Sequence, residues 1–398
     1  MLPPGALAEH ARVVGNSRIG HRSPTWTAPL SKLEDDSYVS ERGQLNPKRS
    51  SIRRGVELAS VLGAGLCSSV YLVNREVLFW PERTQQTLGI LGLALAVIVA
   101  CSACSIGRWG ARLSRVAALV LLLFAASEVR RVWLRHQYRA SVAEAGSVES
   151  FRLDTTLDLR VQHYEVKANA RAGRRVRIIQ VTDLHVTGEL PYSYYQGLTE
   201  KLRARNPDVI ALTGDLLSRH ERLPLLRAWL ETLPPTRLGA YAVLGNHEYW
   251  AHADSEVREA LTASRVQLLA GDCRALPPTE PLFRLCGTES PWGPELRANA
   301  LEHDAQLPFV TLSHTPDNVY SLAELGALAV LAGHTHGGQL RVPLLGAIIV
   351  PSRFGRRFDV GHFKVGETHL FVSAGVGADA PPFRAFCPPE LVEVDLAL

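Results

Sequence analysis

Five short polar motifs in the second half of the chain each follow directly on a short apolar run. The motifs are Asp183-Leu184-His185, Gly214-Asp215, Gly245-Asn246-His247-Glu248, His314 and Gly333-His334-Thr335-His336. An apolar run of this length is typical of a buried strand, so each motif falls where a strand ends and its loop begins. Open α/β sheets bind ligands at the carboxyl ends of their strands. The repeated placement therefore predicts one polar site along a single sheet edge.

From about residue 150 onward, short apolar runs alternate with helical patterns. The predicted elements are strands at 175–181, 208–212, 240–244, 309–312 and 328–331 and helices at 194–205, 223–233 and 255–264. Strands separated by helical segments indicate βαβ units, and the stretch 340–396 is richer in strands and turns. The predicted fold class is therefore α/β, and the order of the elements fits a two-sheet α/β sandwich.

The five motifs contain side chains that bind divalent metals. Asp183 and His185 are two residues apart, so on an extended segment both point to the same side. Asp215 ends the next strand, where the two oxygens of one carboxylate can bridge two cations. The other candidate ligands are Asn246, His314, His334 and His336. Mixed oxygen and imidazole ligands suit Mn, Fe or Zn. Two such cations about 3.5–4 Å apart can activate a water molecule for attack at phosphorus.

Each motif taken alone has a simpler interpretation. A lone histidine in a loop is usually a polar surface residue, and Gly214-Asp215 or Gly245-Asn246 alone is typical of a turn. The histidine pair His334 and His336 also arises by chance. Five motifs in this order, each at a strand end, are poorly explained by chance. The chain is therefore interpreted as a hydrolase.

The order of the motifs resembles that of the calcineurin-like metallophosphoesterase superfamily. The resemblance covers about residues 175–396, and its longer strings are VTDLHVTG, LTGDLL, VLGNHEYW, LSHTPD and LAGHTHGGQL. These strings resemble the membrane-associated bacterial branch of YkuE- and YaeI-like phosphodiesterases. The resemblance implies the four-layer αββα fold of that superfamily.

The resemblance also implies a role for each motif residue. The first metal ion is expected at Asp183, His185, Asp215 and His336, and the second at Asp215, Asn246, His314 and His334. Asp215 then bridges the two ions, and it and His247 are the expected catalytic residues. His247 is expected to contact the phosphate or to protonate the leaving oxygen. Glu248 either orients a neighbouring group or is an exposed carboxylate at a helix start.

The first 140 residues differ in composition from the rest of the chain. Residues 1–50 are rich in Pro, Ser, Gly and charge, which predicts a disordered tail. Residues 51–140 contain the apolar segments 56–73, 87–106 and 116–127, and 87–106 carries no charge over a length that spans a bilayer. These segments predict a transmembrane region of two or three helices, with a buried soluble helical domain as the alternative. The phosphoesterase domain is then expected over 150–398.

The sequence says less about the side of the membrane on which the catalytic domain lies. The basic residues that flank the apolar segments are nearly balanced between the two sides, so the positive-inside rule does not decide the orientation. If only two helices span the membrane, the basic residues after Ser127 lie on the cytoplasmic side. That arrangement favours a multi-pass bacterial inner-membrane protein with its catalytic domain at the cytoplasmic face.

The net charge and the cysteines indicate neither a nucleic-acid-binding protein nor a disulfide-rich one. The net charge of +4 is small for 398 residues, and no basic stripe interleaved with aromatic residues is present. A nucleic-acid partner is therefore not expected. The six cysteines are expected not to form a disulfide framework, and Cys101-x-x-Cys104 is interpreted as a pair of small buried residues.

Together these patterns predict a membrane-anchored, dinuclear-metal phosphoesterase that uses metal-activated hydroxide. Its substrate is expected to be a phosphodiester or pyrophosphate, and a membrane tether favours a lipid-linked ester. One alternative is a catalytically inactive membrane interaction protein with a phosphoesterase fold, against which the intact ligand set argues. Another is a transporter with a soluble appendage, against which the scarcity of ionisable groups in the apolar segments argues.

Overall fold

The computed structural model describes residues 158–168, 173–187, 190–342, 346–378 and 384–398, together with a few isolated residues between 55 and 129. The predicted tail at 1–50 and the predicted membrane segment at 87–106 lie outside the described residues, as do most of 56–73 and 116–127. Among the helices of the described part, none is both long enough and apolar enough to cross a bilayer. The predictions for the first 140 residues therefore stay predictions.

Helices and strands alternate through most of the described chain. The helices are α1 (Tyr192–Arg205), α2 (Leu223–Leu230), α3 (Asn246–Trp250), α4 (Asp254–Ala263) and α5 (Val319–Glu324). The strands are β1 (Arg160–Lys167), β2 (Arg175–Val181), β3 (Val209–Thr213), β4 (Ala240–Val243), β5 (Val266–Leu268), β6 (Cys273–Leu276), β7 (Phe283–Thr288), β8 (Phe309–Ser313), β9 (Ala329–Ala332), β10 (Arg341–Val342), β11 (Gly346–Ala347), β12 (Gly361–Val365), β13 (Thr368–Val372) and β14 (Glu390–Ala397).

The strands form two six-stranded mixed sheets and a small hairpin. Sheet I has the order β1-β14-β2-β3-β4-β5, in which β2 to β5 are parallel and β14 runs antiparallel to β2. Sheet II has the order β12-β13-β9-β8-β7-β6, in which the four inner strands are parallel and the two edge strands are antiparallel. The hairpin pairs β10 with β11.

Three apolar clusters define four layers. Alternate residues of β2 face opposite sides: Ile179 packs with α1, α2 and α4, whereas Ile178 packs against sheet II residues such as Leu285 and Phe371. The outer face of sheet II buries Val330 and Val372 against α5, in a third cluster. This arrangement of helices, two sheets and helices confirms the predicted two-sheet α/β sandwich.

The sequence placed the long elements well and missed the less regular ones. The strand at 175–181 has the predicted bounds, and the helices at 192–205, 223–230 and 254–263 differ from the predicted bounds by at most three residues at either end. Helix α1 ends at Arg205, and the next residue, Asn206, caps it with a left-handed backbone conformation (φ 48°). The strands β1, β5, β6 and β7 were not predicted.

The expectation for the cysteines was wrong at one pair. Cys273 and Cys286 lie directly opposite each other in the antiparallel pair β6–β7, with their Cα atoms 4.0 Å apart, and form a disulfide. Their separation of 13 residues in the sequence concealed this, because the connecting hairpin was not recognised. Cys387 is a buried free thiol.

Candidate metal centre

The predicted ligands lie together where strands of both sheets end. Asp183 and His185 follow β2, Asp215 follows β3, Asn246 follows β4, His314 follows β8, and His334 and His336 follow β9. Backbone hydrogen bonds join neighbouring loops: the Asp183 N–H donates to the Gly214 carbonyl (3.0 Å), and the Gly333 N–H donates to the His314 carbonyl (2.8 Å). All seven ligand candidates are buried. The two sheets therefore build one site at their common edge.

One group of converging atoms comes from Asp183, His185 and His336. The Nε2 atoms of His185 and His336 are 2.9 Å apart, and the Nε2 atom of His336 is 3.4 Å from Asp183 Oδ1. Asp215 Oδ2 lies 3.6 Å from His185 Nε2. The ligand atoms of Asp183, His185 and His336 thus lie close together and could hold a metal ion, with Asp215 next to His185.

A second group comes from Asp215, Asn246, His314 and His334. The Nε2 atom of His314 is 3.1 Å from Asp215 Oδ2 and 3.1 Å from Asn246 Oδ1, and its ring lies 5.0 Å from the ring of His334. The Nδ1 atom of His314 hydrogen-bonds to the Thr213 carbonyl (2.8 Å), which leaves Nε2 to face the site. Asp215 Oδ2 is therefore common to both groups.

Burial favours the uncharged form of several of these groups, whereas the contact between Asp215 and His314 favours the charged form of both. Burial lowers the pKa of His334 to about 3 and the pKa values of His185 and His336 well below their usual range, and it raises the pKa of Asp183 to about 7. A neutral imidazole offers a lone pair to a cation. A divalent cation also supplies the positive charge that buried carboxylates require. The donor set therefore fits divalent metal ions.

Five of the seven ligand candidates have left-handed backbone conformations. Asp183, His185, Asp215, His334 and His336 have φ values between 43° and 68°. For residues with a Cβ atom this conformation costs about 1–2 kcal/mol each. Such strain is concentrated at functional sites, where the surrounding structure enforces it. Here it turns each side chain inward at the sharp bend between strand and loop.

Two motif glycines allow the loops to approach the carboxylates. A Cβ atom on Gly245 would collide with Asp215 Oδ1, and one on Gly333 would collide with Asp183 Oδ2. The glycine that begins each of these two motifs is therefore a packing requirement of the site.

Glu248 is buried and organises two of the ligand loops, so the alternative of an exposed carboxylate was wrong. Its Oε1 atom accepts hydrogen bonds from the N–H groups of Leu216 (2.6 Å) and Leu217 (2.9 Å). Its Oε2 atom accepts from those of Gly245 (2.8 Å) and Asp215 (3.1 Å). One carboxylate thereby joins the loop that carries Asp215 to the loop that carries Asn246.

His247 lies at the mouth of the site, with 16% of its side chain exposed. Its N–H group donates to Asp215 Oδ1 (2.8 Å), and its Nε2 atom is 4.0 Å from Asp215 Oδ2. Its Nδ1 atom is 3.2 Å from the Ser218 hydroxyl, which is itself 2.6 Å from His185 Nδ1. The structure thus places His247 beside the ligand groups, with Nε2 towards them.

Two tryptophans flank the histidines. Trp250, 41% exposed, has its ring 5.1 Å from that of His247, and Trp292 lies 5.1 Å from His334 and 5.8 Å from His314. The loop that carries Trp292 is anchored by buried Glu289, which accepts hydrogen bonds from the Leu244 N–H, the Tyr249 hydroxyl and the Arg258 guanidinium. Apolar surfaces therefore border the site on both sides.

Arg384 contacts the backbone of the loops that form the site. Its guanidinium donates to the carbonyls of Ala374 (2.6 Å) and Gly377 (2.8 Å), and it lies 3.5 Å from the carbonyl of His336. The loop after β13 is in turn bonded to the ligand loop, because the Gly377 N–H donates to the Asp183 carbonyl (2.8 Å). Arg384 thereby joins the last loop of the chain to the first and fifth motifs.

The structure thus brings together every predicted site residue. It adds Ser218, Trp292, Glu289 and Arg384, which sequence reasoning missed. Ser218 lies in the loop after Asp215, and its sequence context is that of an ordinary turn. The approach of Trp292 depends on the unpredicted strand β7 and carried no local signal.

A two-sheet α/β sandwich with carboxylate, amide and imidazole groups at its strand ends is the arrangement expected of a metal-dependent hydrolase. Residues 176–338 match the family model of the calcineurin-like phosphoesterases. The chain accordingly carries a calcineurin-like phosphoesterase domain, which makes it a metal-dependent phosphoric ester hydrolase. The resemblance inferred from the motifs is confirmed.

Curated relatives agree with the predicted branch. Phosphodiesterase YaeI of Escherichia coli is 29% identical over 224 residues, which is 55% of this chain and 82% of the relative. Metallophosphoesterase YkuE of Bacillus subtilis is 23% identical over 54% of this chain and 77% of its own. UDP-2,3-diacylglucosamine pyrophosphatase LpxG of Chlamydia muridarum is 23% identical over 56% of this chain and 77% of its own.

Proposed function

We propose that this chain is a dinuclear phosphoesterase that hydrolyses a phosphodiester or pyrophosphate. The observation that carries the proposal is the sharing of one oxygen, Asp215 Oδ2, by two converging groups of buried ligand atoms. Two divalent cations would supply positive charge to the phosphate oxygens and a nucleophilic hydroxide at neutral pH.

The protein side chains then have distinct tasks. The expected ligands of one ion are Asp183, His185, Asp215 and His336, and those of the other are Asp215, Asn246, His314 and His334. Their burial excludes bulk water and strengthens electrostatic interactions with the substrate. His247, beside both groups and partly exposed, could bind the phosphate or protonate the leaving oxygen.

Hydrolysis of bis-p-nitrophenyl phosphate by the full-length protein, with Mn, Fe or Zn added after chelation, tests this proposal. Asp215→Asn removes charge from both ligand groups, so we expect activity to fall by at least about 10³-fold. The metal content of the same samples should fall as well. Glu259→Gln, on the exposed face of α4, is the matched control and should leave both unchanged. Equal hydrolysis by Asp215→Asn and wild type would refute the assignment of the ligands, and absence of hydrolysis and of bound metal in both would favour an interaction protein.

The substrate is proposed to carry a lipid or another apolar group next to its phosphate. The exposed indole of Trp250 and the ring of Trp292 border the histidines, and they offer apolar contact to such a group. The lipid pyrophosphate named for LpxG and the predicted membrane anchor support the same proposal. A screen of mono-, di- and pyrophosphate esters, with and without acyl chains, tests it. Efficient turnover of soluble nucleotides without turnover of lipid-linked esters would reject it.

Membrane anchoring and sidedness are also proposals. The basic residues favour the cytoplasmic face only if two helices span the membrane. The Cys273–Cys286 disulfide favours the outer face, because disulfides persist in oxidising compartments. We adopt the outer face, since the disulfide belongs to the catalytic domain itself. Reporter fusions after Ser127 should be active only with a periplasmic reporter, and activity of a cytoplasmic reporter would reverse the assignment.

A further inference from the structure

Ser218 connects a predicted metal ligand to the predicted acid. Its hydroxyl oxygen is 2.6 Å from His185 Nδ1 and 3.2 Å from His247 Nδ1, so one side chain lies between the two imidazoles. The rings of His185 and His247 are themselves 4.5 Å apart and nearly perpendicular. Each ring turns its Nδ1 atom to Ser218 and its Nε2 atom towards Asp215 Oδ2.

The direction of these hydrogen bonds follows from the ligand role of His185. Its Nε2 atom faces His336 and both carboxylates, so Nε2 must keep its lone pair for a cation. A neutral imidazole carries one proton, which then lies on Nδ1. The Nδ1–H group of His185 therefore donates to the Ser218 oxygen.

A hydroxyl that accepts one hydrogen bond still has its own proton to donate. The other imidazole nitrogen within reach of Ser218 Oγ is His247 Nδ1, which then acts as an acceptor. In the neutral form of His247 the single proton is consequently on Nε2. That atom is 4.0 Å from Asp215 Oδ2, on the side of the proposed metal ligands.

We propose that Ser218 is a positioning residue that sets His247 in the Nε2–H tautomer when His185 is a metal ligand. The inference rests on the proposed function, because it takes its direction from ligation by His185. It couples occupation of the first ligand group to the ability of His247 to donate a hydrogen bond from Nε2 to the leaving oxygen. As the bond between phosphorus and that oxygen breaks, this hydrogen bond stabilises the developing negative charge; the proton stays on His247, and the leaving oxygen takes its own proton from water.

The first test reads the tautomer directly. Full-length protein selectively labelled with ¹⁵N-histidine and loaded with Zn is compared by NMR as wild type, Ser218→Ala and Ser218→Thr, with His247→Gln to identify the signal of His247. We expect the Nε2–H tautomer in wild type and in Ser218→Thr, and a mixture of tautomers in Ser218→Ala. Identical tautomers in wild type and Ser218→Ala would overturn the proposal.

The second test uses leaving groups that differ in basicity and therefore in their dependence on a hydrogen-bond donor. Ser218→Ala should lower kcat for diphenyl phosphate by about 10–100-fold but lower kcat for bis-p-nitrophenyl phosphate less than about threefold, because nitrophenolate delocalises its negative charge and depends less on a hydrogen bond. Ser218→Thr should restore both, and Ser321→Ala on α5 is the control. Equal losses on the two esters would overturn the proposal. If wild type hydrolysed neither ester, the proposed function would fail, and the tautomer measurement alone would decide the role of Ser218.

Discussion

Exchanging Glu248 for Gln replaces one carboxylate oxygen by an NH₂ group where four backbone N–H groups converge. Two of these donors face each oxygen of Glu248, at distances of 2.6–3.1 Å. Whichever way the amide turns, its NH₂ group meets two donors and leaves both without an acceptor. The side chain is fully buried, so solvent water does not replace the lost acceptor without opening the loops.

The structure allows the size of this effect to be worked out. Each buried donor without an acceptor costs about 1–3 kcal/mol, so two cost roughly 2–6 kcal/mol. Loss of the negative charge offsets part of this cost, because burial and the neighbouring Asp215 raise the pKa of Glu248 to about 7. We therefore expect a net loss of about 2–4 kcal/mol. For a domain of this size that corresponds to a decrease in Tm of about 5–15 °C.

Thermal unfolding of the full-length protein, followed by tryptophan fluorescence with EDTA and with Mn, measures the change. Because the loops of Asp215 and Asn246 share Glu248 as their acceptor, the apparent Kd for Mn should also rise at least about tenfold. Glu259→Gln makes the same chemical exchange on an exposed side chain and should shift neither quantity. A Glu248→Gln protein with wild-type Tm and wild-type Mn affinity would refute the role given to this carboxylate.

Two further predictions concern stability away from the metal centre. Burial, with the nearby His369 and Lys364, lowers the pKa of His362 to about 4. The His362 imidazole therefore stays neutral in the folded protein, whereas in the unfolded chain it gains a proton below about pH 6.5. The free energy of unfolding consequently decreases as the pH falls from about 6.5 to 4, by up to about 3 kcal/mol. His362→Phe, which keeps the ring that stacks on Phe371, should reduce the difference in Tm between pH 7 and pH 5, and an unchanged difference would contradict this. Reduction of the Cys273–Cys286 disulfide should lower stability by about 3 kcal/mol and expose two additional thiols to titration, whereas an unchanged thiol count would exclude the disulfide.

The parts of the fold that could be predicted are those with regular apolar patterns. Strand β2 and helix α1 bury a continuous face, so their periodicity appears in the sequence. Strands such as β5, with three residues, and β6, with one buried residue, bury too little to produce a pattern. The pairing of Cys273 with Cys286 was missed for the same reason.

The ligands could be predicted because their chemistry restricts the residue types, whereas their supports could not. The sequence does not distinguish an exposed glutamate from one that, like Glu248, is buried and accepts four hydrogen bonds. The burial of Glu248 depends on the meeting of two loops from different strands. Ser218 is likewise an ordinary turn residue until two histidines from separate motif loops lie on either side of it.

The left-handed conformation of five ligand candidates affects how this domain can change during evolution. Gly adopts that conformation without steric cost, and Asn and Asp both adopt it more readily than most other residues. A change of Asp183 or Asp215 to Asn therefore removes a negative charge from the proposed metal site without adding backbone strain. Loss of catalysis then carries little penalty in stability, and a metal-free descendant can keep the same fold. Selection for activity, rather than for folding, must preserve these aspartates.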